Sequence, residues 1–341
     1  MIAGRESGEL APRLIVFAEC RLAEDVRTMG FDVEVLETKH RRSPRESLPA
    51  LVRAVRASPA AIVHTHGYKA NILGRFARAW GAPMRGLIAT AHGWADETTA
   101  TRLYNVLDRR TAFLSDLVTV TSEAMVARFP GRARVVFVAN ALEERALATA
   151  VRRQRARARF DFEDDRIVVG FLGRTTAAKG LREFLAAARS RENESELWAI
   201  AGTGDLEASI ASEGLANVRH VGFLEESDAF VDAIDIFVQS SHAEGLSLAL
   251  LEAMRSGRAI VATDVGSTAF AVRHGVDGIV VPPRDVRAIV RAVDDLASDA
   301  RLRERMGNAA RERFSQAFRM DRLQRDVLTH YRSIDDGGFD E

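Results

Sequence analysis

Short runs of β-branched and aliphatic residues alternate with longer amphipathic segments along nearly the whole chain of 341 residues. The short runs have the length and composition of strands, and they lie at 13–18, 32–37, 60–65, 86–91, 117–121, 134–139, 166–172, 196–201, 218–221, 234–239, 258–263 and 278–281. Helix-length segments between them include 46–57, 69–80, 181–190, 206–213 and 285–298. This alternation predicts an α/β fold of βαβ units around mainly parallel sheets, repeated twice along the chain.

The segment between the two sets of strands changes its charge abruptly. It carries five arginines between positions 152 and 159 and then turns acidic at 161–165, just before the apolar run 166–172. A charge switch of this kind before a fresh buried strand is typical of a hinge between domains. The sequence therefore predicts a domain boundary within residues 141–165.

The net charge is zero, but it is unevenly distributed. Residues 1–160 hold 26 basic and 16 acidic side chains, and residues 161–341 hold the other 22 and 32. The excess of +10 in the first half favours a domain that faces an anionic partner, although arginines scattered over a solvated surface explain it equally well.

The composition excludes several protein classes. No apolar run approaches the roughly 20 residues that a membrane span requires, and residues 1–10 lack the apolar core of a secretory signal. The single cysteine, Cys20, excludes an internal disulfide and a cysteine-rich zinc site. A cytoplasmic location is therefore the default expectation.

Two strands of the second half are followed by glycine-containing loops, and the first of these loops also carries cations. Parallel sheets bind ligands at the loops that follow their strands. The loop after 166–172 contains Gly173, Arg174, Lys179 and Gly180, and the loop after 196–201 reads Gly202-Thr203-Gly204. Two cations in a strand-to-helix loop, with glycines that permit close backbone approach, suit a diphosphate. A glycine turn with two solvated cations is about equally compatible with the first loop alone.

The most informative loop follows the strand at 234–239. It carries Glu244, Gly245, Leu246 and Ser247 and then enters a helix whose first turns are apolar except for Glu252. Free amides at a helix start favour an anion, whereas an isolated carboxylate in an apolar helix needs hydroxyl or cationic partners. This combination suits a ligand with vicinal hydroxyls and phosphates. The structural alternative places Glu252 on a solvated stripe with Arg255 and Ser256.

Histidines end two strands of the first half. His64 and His66 precede Gly67, Tyr68 and Lys69, and His92 follows the run 86–91. Histidines at such positions can contact a ligand, but a lone histidine is more often structural, and we prefer the structural interpretation for His64.

These motifs occur together in a familiar order. From residue 170 to 283 they comprise Gly173-Arg174, Lys179-Gly180, Gly202-Thr203-Gly204, the pair Glu244 and Glu252, and glycine-containing turns at 261–266 and 275–282. This stretch resembles the family 4 (group 1) retaining glycosyltransferases of the GT-B fold, and the two glutamates have that family's Glu-x7-Glu spacing. The first half resembles the family more loosely, through 64–70, 90–94 and Asn140.

The resemblance implies two Rossmann-like domains that face each other across a cleft. The domains are expected at 1–145, on the acceptor side, and at 161–318, which binds the nucleotide sugar. A linker is expected at 146–160, and the final helix, 319–333, is expected to cross back to the first domain. Family members usually begin with a strand, a glycine-rich loop and a long helix, and this chain is expected to lack that first unit, which places acceptor binding in question.

The resemblance also implies roles for the singled-out residues. Arg174 and Lys179 would bind the donor diphosphate and stabilise the leaving group, and Glu252 would accept hydrogen bonds from the ribose. Glu244 and the amides of Gly245, Leu246 and Ser247 would hold the sugar and phosphate beside Gly173, Gly202 and Gly204. The expected catalytic group is His92, Glu244, Arg174 and Lys179, and the acceptor-side group is His66, Tyr68 and Lys69.

The implied activity is transfer of a sugar from a UDP- or GDP-sugar, with retention of anomeric configuration, to a glycan or lipid-linked acceptor in cell-surface polysaccharide or glycolipid synthesis. No cofactor and no metal ion are expected, because the chain has no Asp-x-Asp sequence and cationic side chains can replace a divalent ion. A GT-B scaffold without turnover and, less favoured, a nucleotide-sugar epimerase are the alternatives.

The expected partners are the nucleotide sugar, its acceptor and an anionic membrane, but no nucleic acid. The basic amphipathic segment from His40 to Arg56 motivates peripheral attachment at the inner face of the membrane, although its apolar stripe is equally suited to packing on the sheet.

Overall fold

The computed structural model describes residues 11–36, 43–57, 60–93, 99–192 and 195–335. The chain divides into two compact units, and each has its own parallel sheet structure. The first unit comprises Met1–Val138 together with Leu323–Glu341, and the second comprises Ala139–Arg322.

The described strands and helices alternate as the sequence pattern predicts. The strands are β1 (Arg13–Val16), β2 (Asp32–Val35), β3 (Ala60–His66), β4 (Met84–Ala91), β5 (Leu117–Val120), β6 (Val135–Phe137), β7 (Val168–Leu172), β8 (Leu197–Ala201), β9 (Val218–Gly222), β10 (Ile236–Gln239), β11 (Ala259–Thr263) and β12 (Ile279–Val281). The helices are α1 (Arg21–Thr28), α2 (Pro44–Ala57), α3 (Tyr68–Ala79), α4 (Thr99–Arg110), α5 (Glu123–Val126), α6 (Ala150–Arg159), α7 (Leu181–Ser190), α8 (Glu207–Glu213), α9 (Asp228–Ala233), α10 (Leu248–Arg255), α11 (Thr268–Ala271), α12 (Val286–Ser298), α13 (Ala300–Ala317) and α14 (Met320–Asp335).

The second unit contains one six-stranded parallel sheet in the order β12-β11-β10-β7-β8-β9. The central strand β7 is apolar along its length and almost wholly buried, because helices cover both faces of the sheet. Helices α7 and α12 place Phe184, Leu185, Ile289 and Val293 in the core beside the fully buried Trp198. Burial of large apolar side chains of this kind is the main stabilising contribution to such a unit.

The strands of the first unit form two separate parallel sheets among the described residues. One sheet pairs β1 with β2, and the other has the order β3-β4-β5-β6. The core beside helices α2 and α3 includes Leu51, Val55 and Leu73, with Ile15 of β1 and Met84 of β4 packed against it. Residues of both sheets thus contribute to one core.

The interval 146–160, for which the sequence analysis gave a linker, contains helix α6 of the second unit. Its arginines have specific acceptors there. The buried Arg157 donates to Asp235 at 2.6 Å and to the carbonyl oxygens of Glu163 and Asp164, and Arg153 donates to Asp235 at 2.6 Å. These charge-assisted bonds fix α6 beside the start of β7, because the Asp235 carboxylate also accepts from the Val168 amide.

Candidate active site

The glycine-rich loops of the second unit leave neighbouring strands at one edge of the sheet. Strands β10, β7, β8 and β9 are adjacent and parallel, so the loops that follow them begin at the same edge. The loops are joined by backbone hydrogen bonds, from Gly173 to Ala201 at 3.0 Å and from Gly202 to Gly222 at 2.8 Å. The structure therefore brings the loop that the sequence analysis assigned to a diphosphate next to the glycine loop that follows β8.

Two glycines make this close approach possible. Gly202 has φ of 130°, and a Cβ at this position would collide with the carbonyl oxygen of Gly173. Gly180 has φ of 69°, and a Cβ there would collide with the carbonyl oxygen of Ser240. A larger residue at either position would be strained and would push the loops apart.

Lys179 and Glu244, 65 residues apart in sequence, form a doubly hydrogen-bonded ion pair. The Lys179 ammonium lies 2.6 Å from Oε1 and 2.9 Å from Oε2 of the Glu244 carboxylate. Ser241 donates a further hydrogen bond of 2.6 Å to Oε1. The structure thus places a predicted diphosphate ligand and a predicted sugar ligand side by side.

Hydrogen bonds between loops hold this pair in place. The Ser240 hydroxyl donates to the carbonyl oxygen of Gly180 at 2.8 Å, and the amide of His242 donates to Ala178 at 2.9 Å. The Thr263 hydroxyl donates to the carbonyl oxygen of Ser241 at 2.6 Å. The loops after β7, β10 and β11 therefore form one connected structure around Lys179 and Glu244.

Helix α10 begins directly beyond this cluster. Ser247 is its N-cap, with a hydroxyl 3.4 Å from the amide of Leu250. The Leu246 side chain is buried, its carbonyl oxygen accepts from Asn140 at 2.7 Å, and the Gly245 carbonyl oxygen accepts from Ser267 at 2.8 Å. The positive end of the helix dipole thus lies at the predicted phosphate and sugar residues.

Glu252 lies on α10, half-buried and hydrogen-bonded by the hydroxyl of Ser227 at 2.7 Å. Burial is the largest effect on its acidity and raises its pKa, although the Ser227 hydrogen bond acts in the opposite direction. Ser256 is buried as well. The alternative of a solvated stripe with Arg255 and Ser256 is therefore wrong, because the helix face that carries Glu252 is largely covered.

The remaining predicted donor residues occupy the same loops. Arg174 lies in the loop after β7, and its side chain is exposed. Gly204 packs tightly on Thr175, whose carbonyl oxygen a Cβ at position 204 would meet at 2.9 Å. The sequence analysis missed Ser227 and Ser241, which bind the two glutamates. The Ser241 signal was its position three residues before Glu244, whereas nothing in the sequence links Ser227 to Glu252.

The first unit brings its predicted histidines together at the ends of β3 and β4. The rings of His64 and His66 stack with centroids 4.4 Å apart, and those of His66 and His92 stack at 5.4 Å. The distance from His66 Nδ1 to His92 Nε2 is 3.2 Å. Tyr68 lies beside Tyr104, with ring centroids 5.6 Å apart.

Burial lowers the pKa of His64 well below its ordinary value, and His66 and His92 reinforce that effect. His64 has a polar partner on each ring nitrogen, Tyr331 at Nδ1 and Thr90 at Nε2, both at 2.7 Å. Although His66 and His92 reach the surface, loss of surrounding water lowers the pKa of His66 to about 4 and also lowers that of His92. These shifts all favour the neutral form of the three rings.

Lys69 lies close to the aromatic pair on α3 and α4. Its ammonium is 6.0 Å from the ring centroid of Tyr68 and 5.8 Å from that of Tyr104, at the outer limit of a cation–π contact. The predicted acceptor-side residues His66, Tyr68 and Lys69 thus lie at the end of β3 and in the first turn of α3.

Three further expectations concern metals and membranes. Within the described residues, no group of three or more histidine, cysteine or carboxylate side chains is arranged to hold a metal ion. None of the described helices combines the length and apolar character needed to span a bilayer. In the basic segment, Leu51, Val52 and Val55 are buried in the core and Arg53 and Arg56 are exposed, whereas His40–Arg42 and Trp94 lie outside the described residues.

Solved structures with a similar fold define the class of this protein. HepE from Anabaena in complex with UDP superimposes with a TM-score of 0.81, covering 94% of this chain and 92% of that chain at 17% identity. The same protein has been solved with UDP-glucose. Two α/β units with parallel sheets and interlocked glycine loops at a sheet edge define a protein of the GT-B class.

Family models identify the protein more closely. Residues 152–313 match the glycosyl transferases group 1, and residues 6–141 match the glycosyl transferase 4-like domain. The chain belongs to this family of group 1 glycosyltransferases. The resemblance to group 1 glycosyltransferases, which the Glu244 and Glu252 spacing indicated, is therefore confirmed.

Two relatives match about half of the chain at higher identity. The α-D-kanosaminyltransferase of Streptomyces kanamyceticus is 34% identical over 171 residues, and the O-antigen chain mannosyltransferase C of Escherichia coli is 32% identical over 163 residues. These matches cover 48% and 45% of this chain. The chain spans less than half the length of each relative, 44% and 43%.

Proposed function

We propose that the protein transfers a sugar from a nucleoside diphosphate sugar, bound on the second unit, to a glycan or lipid-linked acceptor. The observation that carries this proposal is the cluster of Lys179, Glu244 and Ser241 between interlocked glycine loops. An ammonium and backbone amides suit a diphosphate, and a carboxylate beside them suits sugar hydroxyls. UDP and UDP-glucose, which the HepE structures contain, are the first ligands to test.

Nucleotide binding tests this proposal directly. Isothermal titration should detect UDP or GDP binding, and Arg174→Ala or Lys179→Ala should each weaken it by about 1–3 kcal/mol, the range for charge-assisted hydrogen bonds. Circular dichroism of each variant checks that the fold survives. The assignment is overturned if the double variant binds the nucleotide as tightly as the unmodified protein.

We further propose that transfer retains the anomeric configuration and requires no metal ion. Arg174 and Lys179 supply positive charge to the departing diphosphate, and the departing phosphate assists deprotonation of the acceptor on the same face of the sugar. His92, in the first unit, contributes to the transfer step. Product anomers identified by NMR and turnover in EDTA check these statements, and an inverted product or EDTA-sensitive turnover contradicts them.

A nucleotide-binding GT-B protein without turnover is the second candidate. The observation that favours it is that, among the described residues, β1 and β2 pair only with each other, so the unit expected to receive the acceptor has no single sheet across all its strands. The two candidates differ in one measurement: the scaffold binds UDP or GDP but neither transfers nor hydrolyses any nucleotide sugar. An acceptor panel with released nucleotide as the readout separates them.

A further inference from the structure

The three histidines of the first unit form a continuous stack on one face of its sheet. His64 and His66 are two residues apart on β3, so their side chains emerge on the same face. His92 directly follows β4 and lies two residues beyond Thr90, which pairs in register with His66. The stack thus extends from the half-buried His64 to the surface residue His92.

The half-buried end of the stack is fixed in orientation. Tyr331 of α14 contacts His64 Nδ1, and Thr90 contacts His64 Nε2, each at 2.7 Å. Thr90 also lies 2.7 Å from the hydroxyl of Thr119 on β5. Because both ring nitrogens of His64 are engaged, its ring cannot flip without breaking two hydrogen bonds, and it forms a rigid surface on which His66 stacks.

The contact between His66 Nδ1 and His92 Nε2 has room for one proton. Two neutral rings share a hydrogen bond only when one nitrogen donates and the other accepts. If His66 donates, His92 carries its own proton on Nδ1, and if His92 donates, its Nδ1 is a bare acceptor. The protonation of Nδ1, the ring nitrogen of His92 that does not contact His66, is therefore coupled to the tautomer of the partner ring.

We propose that His66 is a positioning residue that holds His92 in one ring orientation and one tautomer. This inference rests on the proposed function, because it gives His66 a role through His92 instead of a direct contact with the acceptor. Backbone contacts support the arrangement, since the Thr121 hydroxyl donates to the His92 carbonyl oxygen at 3.1 Å. Fixing the imidazole tautomer is a recurrent way in which a neighbouring group prepares a histidine for catalysis.

Ring NMR of the full-length protein tests the proposal without reference to activity. His66→Phe keeps an aromatic ring in the stack but removes Nδ1, whereas His66→Asn restores a polar atom near that position. With 15N-labelled histidine, His92 should show a single tautomer in the unmodified protein and in His66→Asn, and a mixture in His66→Phe. His274→Phe, which removes a histidine from the second unit, is the matched control and should leave the His92 signals unchanged.

Kinetics supply the second readout. His66→Phe should lower kcat by about tenfold or more, the effect of a misplaced catalytic group, with little change in donor KM, and His66→Asn should recover most of the loss. An unchanged His92 tautomer in His66→Phe, or an altered tautomer with unchanged kcat, overturns the inference. Failure of the unmodified protein to turn over any donor would instead contradict the proposed function. The two failures are distinguishable, because the NMR result does not depend on turnover.

Discussion

The ion pair between Lys179 and Glu244 predicts that one substitution changes the affinities for UDP and for a UDP-sugar in opposite directions. In the free protein the Glu244 carboxylate accepts hydrogen bonds from the Lys179 ammonium, which we assign to the diphosphate. Glu244→Gln removes a negative charge next to the expected phosphate position. UDP should therefore bind more tightly to this variant, whereas the UDP-sugar should bind less tightly because the sugar loses its charged acceptor.

The burial of the two side chains sets the magnitude. The Lys179 side chain is 27% exposed and that of Glu244 is 9% exposed, so the pair lies between a surface ion pair and a buried one. A carboxylate about 6 Å from a phosphate at an effective dielectric constant of about 20 opposes binding by at most about 3 kcal/mol. Allowing for solvent screening, we expect Glu244→Gln to tighten UDP binding by about 1 kcal/mol, roughly fivefold.

Lys179→Met is the companion variant, and it should weaken binding of both ligands by about 1–3 kcal/mol. In the double variant, the gain from Glu244→Gln should largely persist, because removing the carboxylate relieves its repulsion of the phosphate with or without Lys179. Isothermal titration with UDP and UDP-glucose on all four proteins gives the complete double-mutant cycle. Equal losses for both ligands in Glu244→Gln, or loss of the UDP gain in the double variant, would refute this reasoning.

Glu252→Gln should weaken UDP binding without lowering the melting temperature. Because burial raises the pKa of Glu252, the UDP affinity of the unmodified protein should begin to fall at a higher pH than it would with an ordinary glutamate. Titrations across the acidic range check both expectations, and an unchanged affinity contradicts the ribose role. Arg75→Met should lower the free energy of unfolding by about 3–5 kcal/mol, because it leaves Asp108 buried without its ion-pair partner at 2.7 Å. Urea denaturation should show that the double variant Arg75→Met with Asp108→Leu recovers part of this lost stability. Anionic vesicles should sediment the protein at low salt but not at high salt. The double variant Arg53→Glu with Arg56→Glu should sediment less, because these two arginines are exposed while the apolar face of their helix is buried in the core. Protein that stays in the supernatant at low salt would contradict the membrane proposal.

Much of the fold follows from local pattern. Buried parallel strands such as β7 read as apolar runs, and each strand predicted from the sequence occurs within a few residues of its predicted place. Helix α4 was missed because its exposed Leu103 and Val106 and its buried Asn105 and Asp108 invert the usual pattern. Asp108 is buried because Arg75, 33 residues away, neutralises it, and no local pattern records that partner.

The candidate site was predictable where its chemistry is carried by spacing within one loop. Glu244 and Glu252 are eight positions apart on a loop and the helix it enters, so their association is local. The contact of Glu244 with Lys179 spans 65 residues, and that of Glu252 with Ser227 spans 25. Such pairings depend on which strands are neighbours in the sheet, and the order β10-β7-β8 emerges only from tertiary packing.

The discontinuity of the first unit has a consequence for how the chain is made. Tyr331 and Ile334 of α14 pack against residues from β3, β4 and β5, including Ile88 and Leu117, and Tyr331 contacts a histidine 267 positions earlier in the chain. During synthesis the ribosome releases all of the second unit before it releases these residues. The first unit is therefore completed last although its translation begins first, which reverses the usual order of domain folding. A fragment ending at Val138 would leave the apolar surface formed by Ile88 and Leu117 uncovered, because Ile334 is translated only after the whole second unit.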